Sequence, residues 1–236
     1  MGKQLQLKII SIFILCFFIY YNLTISIFAN DYNANDFELD DILIEDIDKS
    51  FRNSLTISEI ETTNHNIMNF DVDATGNIII CLTNNSVNIY NNSLEFLYNV
   101  DYDVNGTSIA FWYNELASIY LSKTDVIIQV DKNGAINAYK VKNSIDNSNL
   151  YNKIRGNKTI VTDNFSYELC YSSSFQKSMM VNPTKLVRVN GEIEEVVFKN
   201  NNATSNILIT LSLIIAFFVT IFLFVSKKIK EHKSKD

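Results

Sequence analysis

Histidine, cysteine, glycine and proline are scarce in this chain, and most motifs of catalysis need one of them. Of 236 residues, two are histidine, three cysteine, six glycine and one proline. The glycines form neither a phosphate-cradling loop nor a G-x-G-x-x-G dinucleotide fingerprint, where the backbone must approach an anion closely. No H-E-x-x-H zinc helix and no G-x-S-x-G nucleophile elbow occur. His65 lies in a polar stretch and reads as an exposed loop residue, and His232 lies near the end of the chain. Cys16, Cys81 and Cys170 contain no C-x-x-C pair for zinc or redox chemistry. The expectation is a non-enzymatic protein. A carboxylate-based hydrolase is the alternative, because two acids can meet from distant strands.

Charge excludes a second class. The formal net charge of −6 conceals an asymmetry, because seven lysines cluster at the two ends with only Glu231 and Asp236 against them. The rest of the chain is left near −11, a poor surface for nucleic acid, whose phosphates require cationic partners.

Two long apolar runs dominate what is present. Residues 207–225 contain no charged side chain and fifteen Leu, Ile, Phe or Val. At 1.5 Å per residue such a helix spans roughly 28 Å, close to the hydrocarbon thickness of a bilayer. Lys227, Lys228, Lys230, Lys233 and Lys235 follow it, while no charge lies in residues 200–206. The lysine excess places the C-terminus in the cytoplasm. At the other end, Lys3 and Lys8 precede an apolar stretch and the triplet Ile27-Phe28-Ala29, the pattern of a secretory signal. A retained signal anchor is the alternative to cleavage. Both put the following chain outside the cell membrane.

The expected organisation is therefore a signal over 1–29, an acidic linker over 30–49, an extracellular domain over 50–198 and a polar stalk over 199–206. A transmembrane helix over 207–225 and a basic cytoplasmic tail over 226–236 complete it. Asp36, Glu38, Asp40, Asp41, Glu45, Asp46 and Asp48 crowd the linker, and like charges at that density hold a segment extended.

Within 50–198, short β-favouring runs alternate with Asn, Asp, Gly and Ser clusters, and no stretch sustains a helical period. Ile78-Ile79-Ile80-Cys81-Leu82 and Ser86-Val87-Asn88-Ile89-Tyr90 read as strands, and the chain returns through a turn at Asn91-Asn92-Ser93. The pattern recurs about 41 residues later: Ile119-Tyr120-Leu121 aligns with Ile78-Ile79-Ile80, Ile128-Gln129-Val130 with Val87-Asn88-Ile89, and Phe111 with Phe70. A poorer third copy spans Val187-Arg188-Val189, Asn190-Gly191 and residues 193–197. Asn-Gly at 133–134 and 190–191 signals hairpins, because both turn positions need positive φ. A repeat of about 40 residues built of short antiparallel strands predicts an all-β domain of propeller-like blades.

The segment Phe70-Asp71-Val72-Asp73-Ala74-Thr75-Gly76-Asn77-Ile78, followed by Val87-Asn88-Ile89-Tyr90, resembles a blade of the NHL type of β-propeller. With its signal, final apolar run and A- and T-codon-rich composition, the chain resembles membrane-anchored proteins of low-GC Gram-positive, clostridia-like bacteria that carry such blades. The resemblance implies a propeller-like extracellular domain. A closed ring needs at least four blades and this domain has room for about three, so an incomplete or oligomer-closed arrangement follows. Exposed strand edges then predict self-association or a protein partner.

Asp71-Val72-Asp73-Ala74-Thr75-Gly76 and Asp101-Tyr102-Asp103-Val104-Asn105-Gly106 both fit D-x-D-x-[N/T]-G, which makes Asp71, Asp73, Asp101 and Asp103 the candidate ligands for Ca²⁺. The closing acid is missing, however: Leu82 and Trp112 stand at the twelfth place, Ile79 and Ile109 at the ninth. An acidic β-turn is the preferred reading, with no catalytic residue and no cofactor assigned. Cys81 and Cys170 are expected at equivalent positions of separate blades, and therefore as free thiols. Among Phe111-Trp112-Tyr113, Phe111 is assigned to the core, and Trp112 is left between core and binding platform. The function expected is a membrane-anchored interaction module. The alternatives are a carboxylate-based or calcium-assisted hydrolase and a sensor subunit of a membrane complex.

Overall fold

The structure is a computed structural model that describes residues 32–42, 55–104, 106–171 and 182–202, with single positions at 177, 212, 216, 217, 220 and 221. In chain order its elements are β1 (Leu39–Ile42), β2 (Thr56–Ser58), β3 (Ile67–Val72), β4 (Ile78–Leu82), β5 (Ser86–Tyr90) and β6 (Phe96–Asp101). There follow β7 (Ser108–Tyr113), β8 (Leu116–Leu121), β9 (Val126–Asp131), β10 (Gly134–Val141), helix α1 (Ile145–Gly156), β11 (Thr159–Val161), β12 (Ser166–Cys170), β13 (Lys185–Asn190) and β14 (Ile193–Lys199).

Three antiparallel meanders of four strands result, β3 to β6, β7 to β10 and β11 to β14, and none of the sheets closes on itself. The first and second meanders carry a fifth strand on their outer edge. β2 pairs with β6, and β1 pairs with β10, both antiparallel. The repeat seen in the sequence is thus a repeat of sheets. β3 and β7, the inner strands of the first two, begin forty-one residues apart and lie side by side in space.

The packing order explains the apolar runs. On β4, Ile79 and Cys81 meet Ala117, Ile119, Leu121 and Ile128 of the second sheet. Ile78, Ile80 and Leu82 on the opposite face meet Tyr167, Leu169, Leu186 and Phe198 of the third. The first sheet is buried on both sides, so its central strand β4 reads as a continuous apolar run instead of an alternating one. Arg188 ties the third sheet to the first: its Nη1 donates to Asn92 O at 2.7 Å, while the guanidinium sits 4.4 Å from the centre of the Phe165 ring.

Among the described residues, no sheet lies beside the far face of the second sheet. Ile109, Phe111, Tyr120, Ile127 and Val141 are instead covered by Ala34 and Phe37 from the N-terminal segment and by Leu150 and Ile154 from α1. Phe37 stacks on Phe111 with centroids 5.5 Å apart and meets Tyr120 edge-on. This corrects the linker expectation: residues 32–42 are built into the fold as a 3-10 turn (Ala34–Asp36) and β1. Apolar Tyr32, Phe37 and Leu39 have a face to cover, which outweighs the repulsion of exposed acids. Residues 43–49 lie outside the described residues.

Helix α1 is the second departure. Only Leu150, Ile154 and Asn147 are buried, so the periodic apolar signal is nearly absent. Its ends are well formed nonetheless. Ser144 Oγ accepts from Asn147 N–H at 3.1 Å, Asp146 lies in the first turn, and Lys153 and Arg155 lie in the last. Asn147 joins helix to arm, accepting from Glu38 N–H at 2.9 Å and donating to Glu38 O at 3.0 Å.

The expected hairpins form with altered turns. Asn190 pairs with Ile193, so Gly191 and Glu192 make the turn and only Gly191 of the Asn-Gly pair has positive φ. The turn with both central residues at positive φ is Asn114-Glu115, between β7 and β8. Of the stalk expected over 199–206, the described residues 199–202 adjoin the sheets: Lys199 ends β14, Asn200 N–H donates to Thr184 O, and Asn201 N–H donates to Thr63 O, both at 2.7 Å. Residues 203–206 and the signal over 1–29 lie outside the described residues. So does most of 207–225, where Ser212, Ala216, Phe217, Thr220 and Ile221 are helical. Among the described residues, no helix is long and apolar enough to cross a membrane.

Candidate functional site

Two of the four aspartates singled out in the sequence, Asp71 and Asp73, fall on the inner strand of the first sheet and the turn that follows it. β3 reads Ile67-Met68-Asn69-Phe70-Asp71-Val72, with polar side chains on alternate positions of one face and Phe70 on the other. That polar face meets the edge of β7. Asn69 Nδ2 donates to Ala110 O at 2.7 Å, and its Oδ1 accepts from Ala110 N–H at 3.0 Å. Asp71 Oδ2 accepts from Trp112 N–H at 2.9 Å. Two side chains thus replace the strand that would otherwise pair with this edge.

Asp71 is buried, and its other oxygen accepts from Tyr32 Oη–H and from Val72 N–H, each at 2.9 Å. Burial raises its carboxyl pKa to about 6, against the lowering effect of the three donors. Burial and the adjacent carboxylate push the Tyr32 phenol up as well. The arrangement fixes the N-terminal arm to the junction of two sheets.

Asp73 has a separate task. Its Oδ1 accepts from Thr75 N–H, Thr75 Oγ1 and Asn77 N–H, and its Oδ2 from Asn77 Nδ2, at 2.8 to 2.9 Å. Gly76 completes this turn with φ +89°, and a Cβ there would come within 3.1 Å of Asn92 Cβ. The acidic β-turn reading describes these contacts. Asp101 closes β6 between Thr56 of β2 and Ser86 of β5, and Asp103 lies in the connection to β7. The four aspartates therefore occupy a sheet junction, a turn, a strand end and a loop. Among the described residues no three His, Cys, Asp or Glu side chains are grouped to hold a metal ion.

Both described cysteines are free. Cys81 on β4 and Cys170 on β12 each lie on the second strand of their meanders, as the repeat implied. Cys81 is buried against Tyr102 and Ser108, and burial pushes its thiol up to about 11, the opposite of activation. Cys170 is half-buried rather than buried. Phe111 is in the core, and Trp112 packs half-buried between the first two sheets.

The third sheet differs from the others at its outer edge. β14 corresponds to β6 and β10, yet among the described residues no strand pairs beyond it. Ile193, Glu194, Glu195 and Val196 are exposed in succession, Ile193 at 66% and Val196 at 52%. The two glutamates bridge within the sheet, Glu194 to Lys185 and Glu195 to Arg188, both at 2.7 Å.

The fold so defined is mostly β, repeated antiparallel meanders with one helix, and is consistent with a propeller-like arrangement. No protein-family model matches this chain, and neither a curated protein nor a solved structure matches it.

This junction was legible only in part. The sequence singles out Asp71 as a candidate ligand and gives no reading for Asn69. Their partners, Ala110 and Trp112, each lie one repeat further on, but no signal in the sequence distinguished a carboxylate that binds a cation from one that binds backbone N–H groups.

Proposed function

We infer that this chain is a single-pass surface protein whose β-rich body serves, outside the cell membrane, as a non-enzymatic module for binding protein or ligand. The apolar run 207–225 with its following lysines supports the anchoring, and the signal pattern over 1–29 supports the direction. The resemblance to NHL-type blades of low-GC Gram-positive membrane proteins fits such a display.

The observation that carries the binding role is the unequal finish of three equivalent edges. Two are covered by strands from the N-terminal segment, and β14 presents backbone and apolar side chains without such a cover among the described residues. Edge strands left in that state invite pairing, and proteins that avoid pairing blunt them. The hydrolase and calcium-assisted alternatives need Asp71, Asp73, Asp101 and Asp103 turned toward a common ligand, and Asp71 and Asp73 are engaged with separate backbone partners.

The test replaces Ile193 and Val196 by lysine in the full chain and compares crosslinked products from intact cells. Loss of a crosslinked species relative to the unaltered chain is expected. Isolated monomer from both chains contradicts the reading.

A further inference from the structure

We propose that the end of the sheets at which β3 begins is held against the bilayer surface, so that the turns after β3, β5, β7, β9, β11 and β13 point away from it; this rests on the single-pass reading above. The strands share one direction. β7 runs beside β3 with Ala110 at the level of Asn69 and Trp112 at the level of Asp71. Successive strands of each meander are antiparallel, so the connections fall alternately at a near end and a far end.

The chain leaves at the near end. Asn200 Nδ2 donates to Asn66 Oδ1 at 2.6 Å, Asn201 N–H to Thr63 O at 2.7 Å, and Ile67 N–H, the first of β3, to Pro183 O at 2.8 Å. Tyr102 N–H to Asn85 O and Ser122 N–H to Thr107 O carry the same level across to the second sheet. Five residue steps separate Asn202 from residue 207, a reach of at most about 18 Å. β3 alone rises about 17 Å from Ile67 to Val72, and the turn at Asp73 follows beyond it. An inverted body would need the whole connecting stretch drawn straight along the sheets.

Charge gives an independent reason. The far turns are residues 73–77, 91–95, 114–115, 131–134, 162–165 and 190–193. They carry Asp73, Glu95, Glu115, Asp131, Asp163 and Glu192, with Lys132 alone against them. In the near connections 83–85, 102–107, 122–125 and 142–144, Asp103 and Asp125 are balanced by Lys123 and Lys142. An anionic head-group layer repels the first end and tolerates the second. The length of the connecting stretch and the charge of the turns select the same orientation.

The test uses the full chain in vesicles of neutral and anionic phospholipid that carry a fluorescence quencher on the head group. Cys16→Ser and Cys170→Ser leave buried Cys81 as the native thiol. A fluorophore is attached in turn at Asn84→Cys and Lys123→Cys, exposed near-end positions, and at Lys132→Cys and Asn164→Cys, exposed far-end positions. Two sites at each end keep one misfolded variant from deciding the result. The ends stand about 17 Å apart along the strands, so quenching at 84 and 123 is expected to be about twofold or more that at 132 and 164. Equal quenching at all four sites, or stronger quenching at the far pair, overturns the orientation. So does a pattern that sets 123 and 132 apart from 84 and 164, which describes a body lying on its second sheet. In each of those cases a chain that floats with the vesicles leaves the anchor standing. A chain that does not float contradicts the anchor itself, and the orientation falls with it.

Discussion

Asn69 and Ala110 are joined by two hydrogen bonds, amide to carbonyl at 2.7 Å and backbone N–H to amide oxygen at 3.0 Å. They stand forty-one residues apart, one repeat of the sequence, so equivalent places on two inner strands hold each other. One side chain does for Ala110 what a neighbouring strand does elsewhere in the sheet.

Replacing Asn69 by alanine leaves the buried N–H and C=O of Ala110 without partners. Each orphaned group costs about 1–3 kcal/mol, so a loss of roughly 2–5 kcal/mol is expected in urea unfolding of the β-rich body. Asn69→Asp keeps the acceptor but sets a carboxylate against the Ala110 carbonyl, and is expected to cost at least as much. A change under 1 kcal/mol in Asn69→Ala contradicts the assignment.

Asp71 gives the fold a dependence on acid. The folded carboxyl holds its proton up to about pH 6, well above the 3.8 of an unperturbed aspartate. Between those values the native state carries the extra proton, so unfolding free energy falls as pH rises across that window, by about 3 kcal/mol in all. Below pH 4 and above pH 6 this contribution is flat. Asp71→Asn removes the titrating group, and the slope from pH 4 to 6 should vanish from its stability profile. Tyr32→Phe withdraws a donor from the carboxylate, and the upper end of the slope should move to higher pH.

The N-terminal arm is held by burial as much as by that bond. Phe37→Ala uncovers Phe111 and Tyr120 and is expected to destabilise by about 3–5 kcal/mol, the range for a buried phenylalanine. Hydrogen exchange should then accelerate in β1 and α1, which Asn147 couples, more than in β4 and β5.

How far the sequence was readable depends on where each element finds its partners. β4 announced itself because both of its faces are buried between sheets and its apolar side chains follow without a break, and β5 did so by alternating Ser86 and Asn88 with Val87 and Ile89. The 41-residue spacing disclosed three meanders, and with them the matching places of Cys81 and Cys170. Helix α1 was hidden because its contact is two residues wide, Leu150 and Ile154, although Ser144 and Asp146 marked its start. The arm was hidden by its own charges, since Asp40 and Asp41 say nothing of Tyr32 and Phe37 finding cover. The turn at Asn114-Glu115 lacks the glycine that usually accompanies two positive φ values. Of the candidate site, the residue types were visible and their ligands were not.

Asp73 tests the calcium alternative. Its oxygens already accept four hydrogen bonds from Thr75 and Asn77. Millimolar Ca²⁺ is expected to leave the Tm of the β-rich body unchanged and to release no heat in titration calorimetry. Asp73→Ala should lower stability by about 1–2 kcal/mol through the loosened turn, with or without the ion. A calcium-dependent rise in Tm that Asp73→Ala abolishes contradicts this.

The most direct measurement of the whole account is protease treatment of intact cells expressing the full chain, followed by separation of membrane and supernatant. The account predicts that an antibody to the β-rich body loses its signal before lysis, while the lysine-rich tail stays protected and sediments with the membranes. A body that resists protease until the cells are broken, or a full-length chain recovered in the detergent-free supernatant, contradicts it.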